Sequence, residues 1–311
     1  MSLRYAADRR SLAFIGSYFA LVAAAYSTSM GFAGNALLVM TLCLVSFLCA
    51  VITHNTVHAP MFRSRVANRV VQVLLTLTYG HPVSAYVPGH NLSHHRYTQT
   101  QRDLMRTSKV AFKWNWLNQL LFAWKVGPPI FAANLRFASR MKSRRKRWYR
   151  QLVLETCVLL AFVVLAFVLD WKKAFLFVVL PHQYAAWGIM GINYVQHDGC
   201  DADSPYNHSR NFTGRLVNWL TFNNGFHGIH HMKPSLHWSL LREAHARELA
   251  PHVHPALDQP SFPAYLFRAY IWPGTRASYL GDRFEPAPVG EDEDWIPNVV
   301  TLDESDLGAA A

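Results

Sequence analysis

The chain has 311 residues, of which 51% are hydrophobic and 16% charged, and its 30 Lys and Arg against 19 Asp and Glu give a formal net charge of +11. This composition excludes a disordered chain, and the four cysteines are too few for a disulfide-rich scaffold. A mean hydropathy of +0.05 fits a soluble domain as well as a membrane protein, so the distribution of charges has to decide.

The N-terminal part of the chain predicts two membrane spans. No Lys, Arg, Asp or Glu occurs from Ser11 through Phe62, a run of 52 residues, whereas about 20 apolar residues suffice to cross a bilayer as a helix. Turn-forming residues interrupt this run near its middle: Gly31, Gly34 and Asn35. We therefore expect spans near 11–30 and 35–53, joined in a hairpin.

Two groups of histidines follow the second span at the spacing of one helix face. They are His54 and His58, and then His90, His94 and His95. Side chains three or four residues apart lie one turn apart on a helix, so each group can direct two or more imidazoles at one point. Neutral imidazole is a common ligand of transition metals. Taken alone, His54 and His58 could equally be capping or interfacial residues near the end of a helix.

Two further segments predict helices at the membrane surface. The apolar stretch Val70–Val87 is broken by Gly80, His81 and Pro82, so it either lies in the interface or packs against other helices. Aromatic residues recur farther along: Trp114, Trp116, Phe122, Trp124 and Phe131. They suit an amphipathic helix on the membrane, and core packing accounts for them equally well.

Basic residues orient the chain in the membrane. The segment 96–150 contains 14 Lys and Arg and a single acid, Asp103, whereas the predicted turns on the other side contain two basic residues. By the positive-inside rule, 54–151, 197–281 and both termini lie in the cytoplasm. A signal peptide cleaved near Ala23-Ala24-Ala25 would reverse this topology. Beside membrane spans, the basic segment fits anionic lipid head groups better than nucleic acid, which we do not expect as a partner.

A second pair of spans follows the basic segment. Leu152–Leu169 contains one charged residue, Glu155, Ala174–Gln196 contains none, and a short charged link joins them. The chain is therefore predicted to be an all-α integral membrane protein, with four transmembrane helices in two hairpins, amphipathic interfacial helices and a helical cytoplasmic cap. The spans and the cap are 11–30, 35–53, 152–169 and 174–196, and 54–151 and 197–281.

More potential ligands occur at the end of the fourth span and beyond it: Asn193, His197, His227, His230 and His231. All nine histidines fall on the side that Lys and Arg assign to the cytoplasm. They predict a nitrogen-rich metal site at the membrane surface, since none of the groups contains the Glu-x-x-His pair of soluble di-iron bundles. Nearby acids are placed to accept the second ring N–H of ligating histidines or to cap helices: Asp103, Asp198, Asp201 and Asp203.

At these residues the chain resembles the integral-membrane fatty acid desaturase and hydroxylase superfamily. Its HxxxH, HxxxHH and HxxHH boxes match the groups that begin at His54, His90 and His227. Neighbouring residues also match: Gly89, Asn91, Arg96 and Thr98 at the second box, and Asn224, Gly225, Phe226, Pro234 and Trp238 at the third. The resemblance runs from about residue 50 to 240.

The resemblance implies two iron ions, with O2 as co-substrate, and no catalytic residue beyond the metal centre. His197 matches the family's further ligand, and Asn193 matches a residue that reaches a metal through water in acyl-CoA desaturases. Asp103 and Asp198 would accept hydrogen bonds from the second ring N–H of the ligating histidines. The implied ligands are His54, His58, His90, His94, His95, His197, His227, His230 and His231.

The function implied is O2-dependent desaturation of a long-chain acyl lipid, acyl-CoA or acyl-ACP. No part of the chain resembles a fused redox domain, so electrons would come from an external donor of the ferredoxin or cytochrome b5 type. The basic segment 96–150 would attract such an acidic donor to the cytoplasmic face. Membrane lipids are the other expected partners.

Two alternatives stay open. The segment from Asn193 to Gly199 has some likeness to alkane hydroxylases, so the same di-iron site could hydroxylate an acyl chain, alkane or carotenoid. A His-rich membrane metal transporter is the remote alternative. Transport should place ionisable ligands near the bilayer midplane, whereas these groups gather on one face.

The acidic residues concentrate at the end of the chain. Residues 282–311 hold nine of the 19 acids and one of the 30 basic residues. We therefore divide the chain into a desaturase-like membrane domain, 1–281, and an acidic C-terminal tail, 282–311. The tail is expected to be extended or to pack loosely on the basic cap.

Overall fold

The computed structural model describes residues 2–144 and 146–296. Up to residue 97 the elements are α1 (Asp8–Ser27), α2 (Phe32–His58), α3 (Arg65–Tyr79), α4 (Val83–Val87), a π-helical turn (Pro88–His94) and α5 (His95–Tyr97). From 107 to 197 they are a 3-10 turn (Thr107–Lys109), α6 (Asn115–Arg144), α7 (Lys146–Leu169), α8 (Trp171–Ala174), a π-helical turn (Phe175–Val179) and α9 (Leu180–His197). Arg145 of the basic segment and residues 297–311 of the predicted tail lie outside the described residues.

The rest of the described chain is made of short elements. They are β1 (Asn211–Phe212), α10 (Arg215–Leu220), α11 (His227–Met232), a 3-10 turn (Trp238–Leu240), α12 (Leu241–Ala244), a π-helical turn (His245–Leu249), a 3-10 turn (Pro255–Leu257), β2 (Asp258–Gln259) and α13 (Phe262–Tyr270). β1 and β2 pair in parallel, with Asn211 opposite Asp258. Apart from this short pair the regular secondary structure of residues 2–144 and 146–296 is helical, which confirms the all-α class.

The described residues form two compact units that alternate along the sequence. The first unit contains 2–87 and 138–189, and the second contains 88–137 and 190–296. His54 and His58 belong to the first unit, and the other seven predicted ligands belong to the second.

Three described helices have the length and composition of membrane spans: Phe32–His58, Arg147–Leu169 and Trp171–His197. They cover the predicted spans 35–53, 152–169 and 174–196. The predicted span 11–30 overlaps α1, a 20-residue helix that is not among the three. Its three charged residues, three serines and two tyrosines lower its hydropathy. The predicted span 11–30 and the arrangement in two hairpins therefore stay predictions.

An exposed apolar stripe on α7 fits a lipid environment. Leu160, Val164 and Val168 are 60%, 60% and 76% exposed, and their four-residue spacing puts them on one face of the helix. In water such a stripe would be an unfavourable apolar patch, whereas lipid tails solvate it at no cost. The stripe supports the membrane character of the first unit.

Ionisable side chains inside the predicted spans have partners within the first unit. The carboxylate of Glu155, on α7, accepts a hydrogen bond of 2.8 Å from Ser84 N, an N–H in the first turn of α4. His182 Nε2 lies 2.8 Å from Tyr18 Oη and 2.9 Å from Leu77 O. Both groups therefore bond to protein and not to lipid.

The break predicted within Val70–Val87 is present, because α3 ends at Tyr79 and α4 begins at Val83. Gly80 caps α3 with φ +81°, a left-handed conformation that other residues rarely adopt. A Cβ at this position would lie 2.3 to 2.6 Å from three atoms of the His182 side chain. Both the turn and the close approach therefore require glycine.

Helix α6 has a buried and an exposed face in the second unit. Phe122 packs with Val110, Val126 and Tyr194 in a buried cluster. The other four aromatic residues singled out above are exposed: Trp114, Trp116, Trp124 and Phe131. The helix therefore has the amphipathic character of an interfacial helix, and Phe122 is the member of the set that belongs to the core.

Candidate metal centre

A π-helical turn arranges the second histidine box. In an α-helix His90 would lie above His94, but the turn Pro88–His94 is π-helical, so residues five apart come together. His90 Nε2 and His95 Nε2 are 3.1 Å apart, and His94 belongs to a different group of histidines. The second box therefore contributes histidines to two groups. The α-helical spacing expected from the sequence does not predict this division.

Three histidines of the second unit form the first group, which we call the His90 group: His90, His95 and His230. His230 Nε2 lies 3.2 Å from His95 Nε2. His90 and His230 are buried, and His95 is half-buried. α11 brings His230 to two residues of the second box, and this convergence makes a possible metal site.

Four histidines of the same unit form the second group, which we call the His94 group: His94, His197, His227 and His231. Three of its nitrogens form a triangle, with Nε2 to Nε2 distances of 2.9 Å for His227 and His197, 3.1 Å for His231 and His227, and 3.2 Å for His197 and His231. The ring of His94 lies 4.9 Å from those of His197 and His231. α9 and α11 thus direct three imidazoles at one point, with His94 beside them.

Hydrogen bonds on the far side of two rings indicate which nitrogen faces the group. His94 Nδ1 donates to Asp103 Oδ2 at 2.9 Å, and both side chains are fully buried. His197 Nδ1 donates to the carbonyl of His208 at 3.1 Å. Each hydrogen bond keeps the proton on Nδ1 and leaves the Nε2 lone pair available to a metal ion. His94 Nε2 is buried and has no hydrogen-bond partner among the described residues.

The donor set and its spacing fit a metal ion. Two imidazole nitrogens about 2.1 Å from one ion lie about 3.0 to 3.4 Å apart for bond angles between about 90° and 109°, and the triangle of the His94 group has edges of 2.9 to 3.2 Å. Because His197 donates from Nδ1, its Nε2 offers a lone pair that a cation within this triangle would bind. Burial, together with the neighbouring imidazoles of His95 and His227, holds the pKa of His231 well below its ordinary value. The ring is therefore neutral at pH 7, which is the form that binds metals.

The first histidine box lies in the first unit, at the C-terminal end of α2. The rings of His54 and His58 are 5.5 Å apart, as expected one helical turn apart. His54 is buried, and its Nδ1 lies 3.2 Å from Asn55 Oδ1. Because α2 continues to His58, both side chains are on the helix that forms the predicted second span.

The other predicted site residues are buried in the second unit with different partners. Asp103 accepts hydrogen bonds from His94 and from two backbone N–H groups, of Gln99 at 2.9 Å and Met105 at 2.8 Å. Asn193 Nδ2 donates to the carbonyl of Met105 at 3.2 Å. The loop after the second box therefore contacts α9 close to His197.

Asp198, which was expected behind a histidine, is bound by an arginine and a tyrosine. The guanidinium of Arg276 donates to both carboxylate oxygens, and Tyr194 Oη donates to Oδ2 at 2.8 Å. Arg276 also donates to the carbonyls of Val110 at 2.6 Å and Thr107 at 3.1 Å. The pair fixes the end of α9, where His197 lies. Arg276 stands in an unremarkable sequence segment, so its role became visible only in the fold.

The third box is supported by residues that the sequence did not single out. Asn211 Oδ1 accepts a 2.8 Å hydrogen bond from Gly228 N, at the start of α11, and its Nδ2 donates to Asp258 at 2.9 Å. The other oxygen of Asp258 lies 3.0 Å from His245 Nε2. The parallel pairing of β1 with β2 brings Asn211 and Asp258 together, so two separate sequence segments hold α11 in place.

Membrane-length helices and two groups of buried or half-buried histidines together suggest a membrane protein whose histidine clusters are able to bind metal. The sequence model of the family described as Fatty acid desaturase matches residues 29–261, most of the chain. The chain belongs to this family, which makes it an oxidoreductase and implies a fatty acyl substrate in a membrane. The comparison with curated proteins found no match.

Proposed function

We propose that the protein is an O2-dependent di-iron fatty acyl desaturase that introduces a double bond into a long hydrocarbon chain of a lipid or thioester. The observation that carries the proposal is the division of seven buried or half-buried histidines into two groups, in which neighbouring Nε2 atoms of all but His94 lie 2.9 to 3.2 Å apart. Membership of the Fatty acid desaturase family supports the same reaction.

The proposed ligands are the nine histidines. The His90 group would hold one iron and the His94 group the other, and His54 and His58 join the set on the evidence of the sequence pattern. When bound, two irons supply the activation of O2 that removes hydrogen from an unactivated C–H bond. Asp103 keeps the Nδ1 proton of His94 in place, and Asn193 is proposed to act through water.

The chemistry requires an external reductant. Removing two hydrogen atoms from adjacent carbons while reducing O2 to two water molecules consumes two further electrons and two protons. A one-electron carrier of the ferredoxin or cytochrome b5 type is the proposed donor. The 14 basic residues between 96 and 150 support attraction of an acidic protein.

The proposed topology has four spans, with α1 as the first, and places the histidines and both termini on the cytoplasmic side. The excess of Lys and Arg in 96–150 over the predicted turns supports this orientation. Residues 1–281 would form the membrane enzyme, with 282–311 as its acidic tail.

Hydroxylation of an acyl chain, alkane or carotenoid is the second candidate. It is favoured by the likeness of the segment from Asn193 to Gly199 to alkane hydroxylases. Both reactions begin with removal of one hydrogen atom, and they differ in whether a second hydrogen leaves or an oxygen atom is added. The product therefore distinguishes them.

The decisive experiment combines metal counting with lipid analysis. Purified protein should contain two irons, and cells that express it with a competent donor should accumulate a lipid with a new double bond. His94→Ala and His230→Ala should each abolish the product and lower the iron content, because they remove one ligand from each group. His252→Ala is the matched control, since His252 is an exposed histidine that stacks on Tyr206 and belongs to neither group.

Each other outcome has a definite meaning. A hydroxylated product would favour the second candidate, and metal movement without an oxidised product would favour a transporter. Full activity of His94→Ala or His230→Ala would contradict the ligand assignment.

A further inference from the structure

The last described residues of the chain, 289–296, form an acidic strap along the loop that follows the second histidine box. We call these segments the acidic strap and the Asp103 loop, residues 99–109. Asp292 binds Arg106 Nη1 at 2.5 Å and Lys109 Nζ at 2.9 Å. Glu293 pairs with Arg102 at 3.1 Å, and its N–H donates to the carbonyl of Gln101 at 3.1 Å. The strap is thus bonded to the loop through both side chains and backbone.

Arg106 is the central residue of this contact. Its side chain is 1% exposed, and a buried guanidinium destabilises the fold unless an anion pairs with it. It donates to the strap carbonyl of Val289 at 2.8 Å and to the loop carbonyl of Asp103 at 3.2 Å. Asp292 supplies the compensating negative charge. Without the strap, Arg106 would lose this anion and could not stay buried between the two segments.

The loop that Arg106 holds carries a carboxylate that reaches the metal centre. Asp103 is fully buried and accepts the 2.9 Å hydrogen bond from His94 Nδ1. Its remaining partners are N–H groups of its own loop, so its position depends on the loop backbone. Ser93, next to His94, also donates to the loop at the carbonyl of Arg102, over 2.8 Å. A continuous set of contacts therefore runs from Asp292 through Arg106 and Asp103 to His94.

We propose that Asp292 and Arg106 are positioning residues for the His94 group: by fixing the Asp103 loop they keep Nε2 of His94 directed at the metal. The inference rests on the proposed metal centre. It assigns a role to the acidic end of the chain, which the sequence predicted only to be extended or loosely packed.

Asp292→Asn tests the proposal, with Glu291→Gln as the matched control. Glu291 is the exposed neighbouring acid and makes no hydrogen bond or ion pair among the described residues. Glu291→Gln therefore removes one negative charge, as Asp292→Asn does, without breaking such a contact. Iron content and Co²⁺ affinity of the purified full chain are measured for both variants. Asp292→Asn should lower the metal affinity of one of the two sites by about 10-fold. This is the smallest loss that is typical when a residue hydrogen-bonded to a metal ligand is changed. Glu291→Gln and the conservative Asp292→Glu should stay within about twofold of the wild type.

The outcomes separate this inference from the proposed function. If the wild type binds no metal, the proposed function fails. If it binds two ions and Asp292→Asn binds both with unchanged affinity, the positioning role is overturned. Equal weakening of both sites with a lower Tm would also overturn it, because that is the result of a general loss of stability. Should Asp292→Asn not fold, Lys109→Gln removes only one of the two cations on Asp292. It should show a smaller loss at the same single site, and unchanged affinity would contradict the proposal.

Discussion

At the scale of single residues, hydrogen bonds behind two imidazoles fix which ring nitrogen faces the histidine groups. Asp103 and the carbonyl of His208 each accept a hydrogen bond from the Nδ1 of a histidine, so the lone pair of that ring is on Nε2. Asp198 has another task, since Arg276 and Tyr194 occupy its carboxylate. Residue type and spacing could indicate an acid near the histidines, but the partner of each acid depends on the folded loop.

Asp103→Asn tests the residue that supports His94. The variant keeps one acceptor oxygen but presents an NH2 group either to His94 and Gln99 or to Met105, all of which donate to the native carboxylate. Metal affinity of the His94 group should fall by about 10- to 100-fold, measured by Co²⁺ titration. Asp201→Asn is the control, because Asp201 is exposed and its carboxylate accepts, among the described residues, only a turn hydrogen bond from Asp203 N. Equal affinities in the two variants would contradict this role for Asp103.

At the scale of elements, the sequence predicted helices well and their internal geometry less well. A lack of charge defines a long apolar segment, so α2 and α7 were foreseeable, whereas nothing in the spacing of His90, His94 and His95 indicated a π-helical turn. That turn decides which histidines lie in the same group. In the third box the α-helical spacing was sufficient, because His227 and His231, four residues apart on α11, lie in the same group.

Gly80→Ala tests how the end of α3 is built. The added methyl group would be strained at φ +81° and would overlap His182, so we expect a loss of about 2 to 5 kcal/mol from the two effects together. Gly16→Ala is the matched control, because Gly16 lies inside α1 with nothing within 4 Å of a new Cβ. Thermal unfolding in detergent should give a clearly lower Tm for Gly80→Ala and an unchanged or higher Tm for Gly16→Ala. An unchanged Tm for Gly80→Ala would show that the turn tolerates a side chain.

At the scale of the whole molecule, the net charge combines opposing parts that partly neutralise each other. The strap residues Asp292 and Glu293 bind three cations of the basic segment, Arg102, Arg106 and Lys109. The sequence showed both the basic segment and the acidic tail, but not which residues would pair, because the pairing depends on the fold of the Asp103 loop. An acidic electron donor would therefore meet the basic residues that the strap does not bind, and exposed Lys142 is one of them.

Lys142→Glu should weaken the interaction with the donor, since it reverses one charge of that surface. Desaturation driven by an acidic ferredoxin or cytochrome b5 should show a several-fold higher KM for the donor at low salt, with a smaller difference at about 0.5 M salt because exposed charges are screened. Lys172→Glu is the matched control, as this lysine lies in the turn predicted on the opposite side of the membrane. Turnover with a small uncharged reductant should be the same in both variants. If Lys142→Glu and Lys172→Glu have the same KM for the donor at low salt, the charge of Lys142 does not contribute to donor binding.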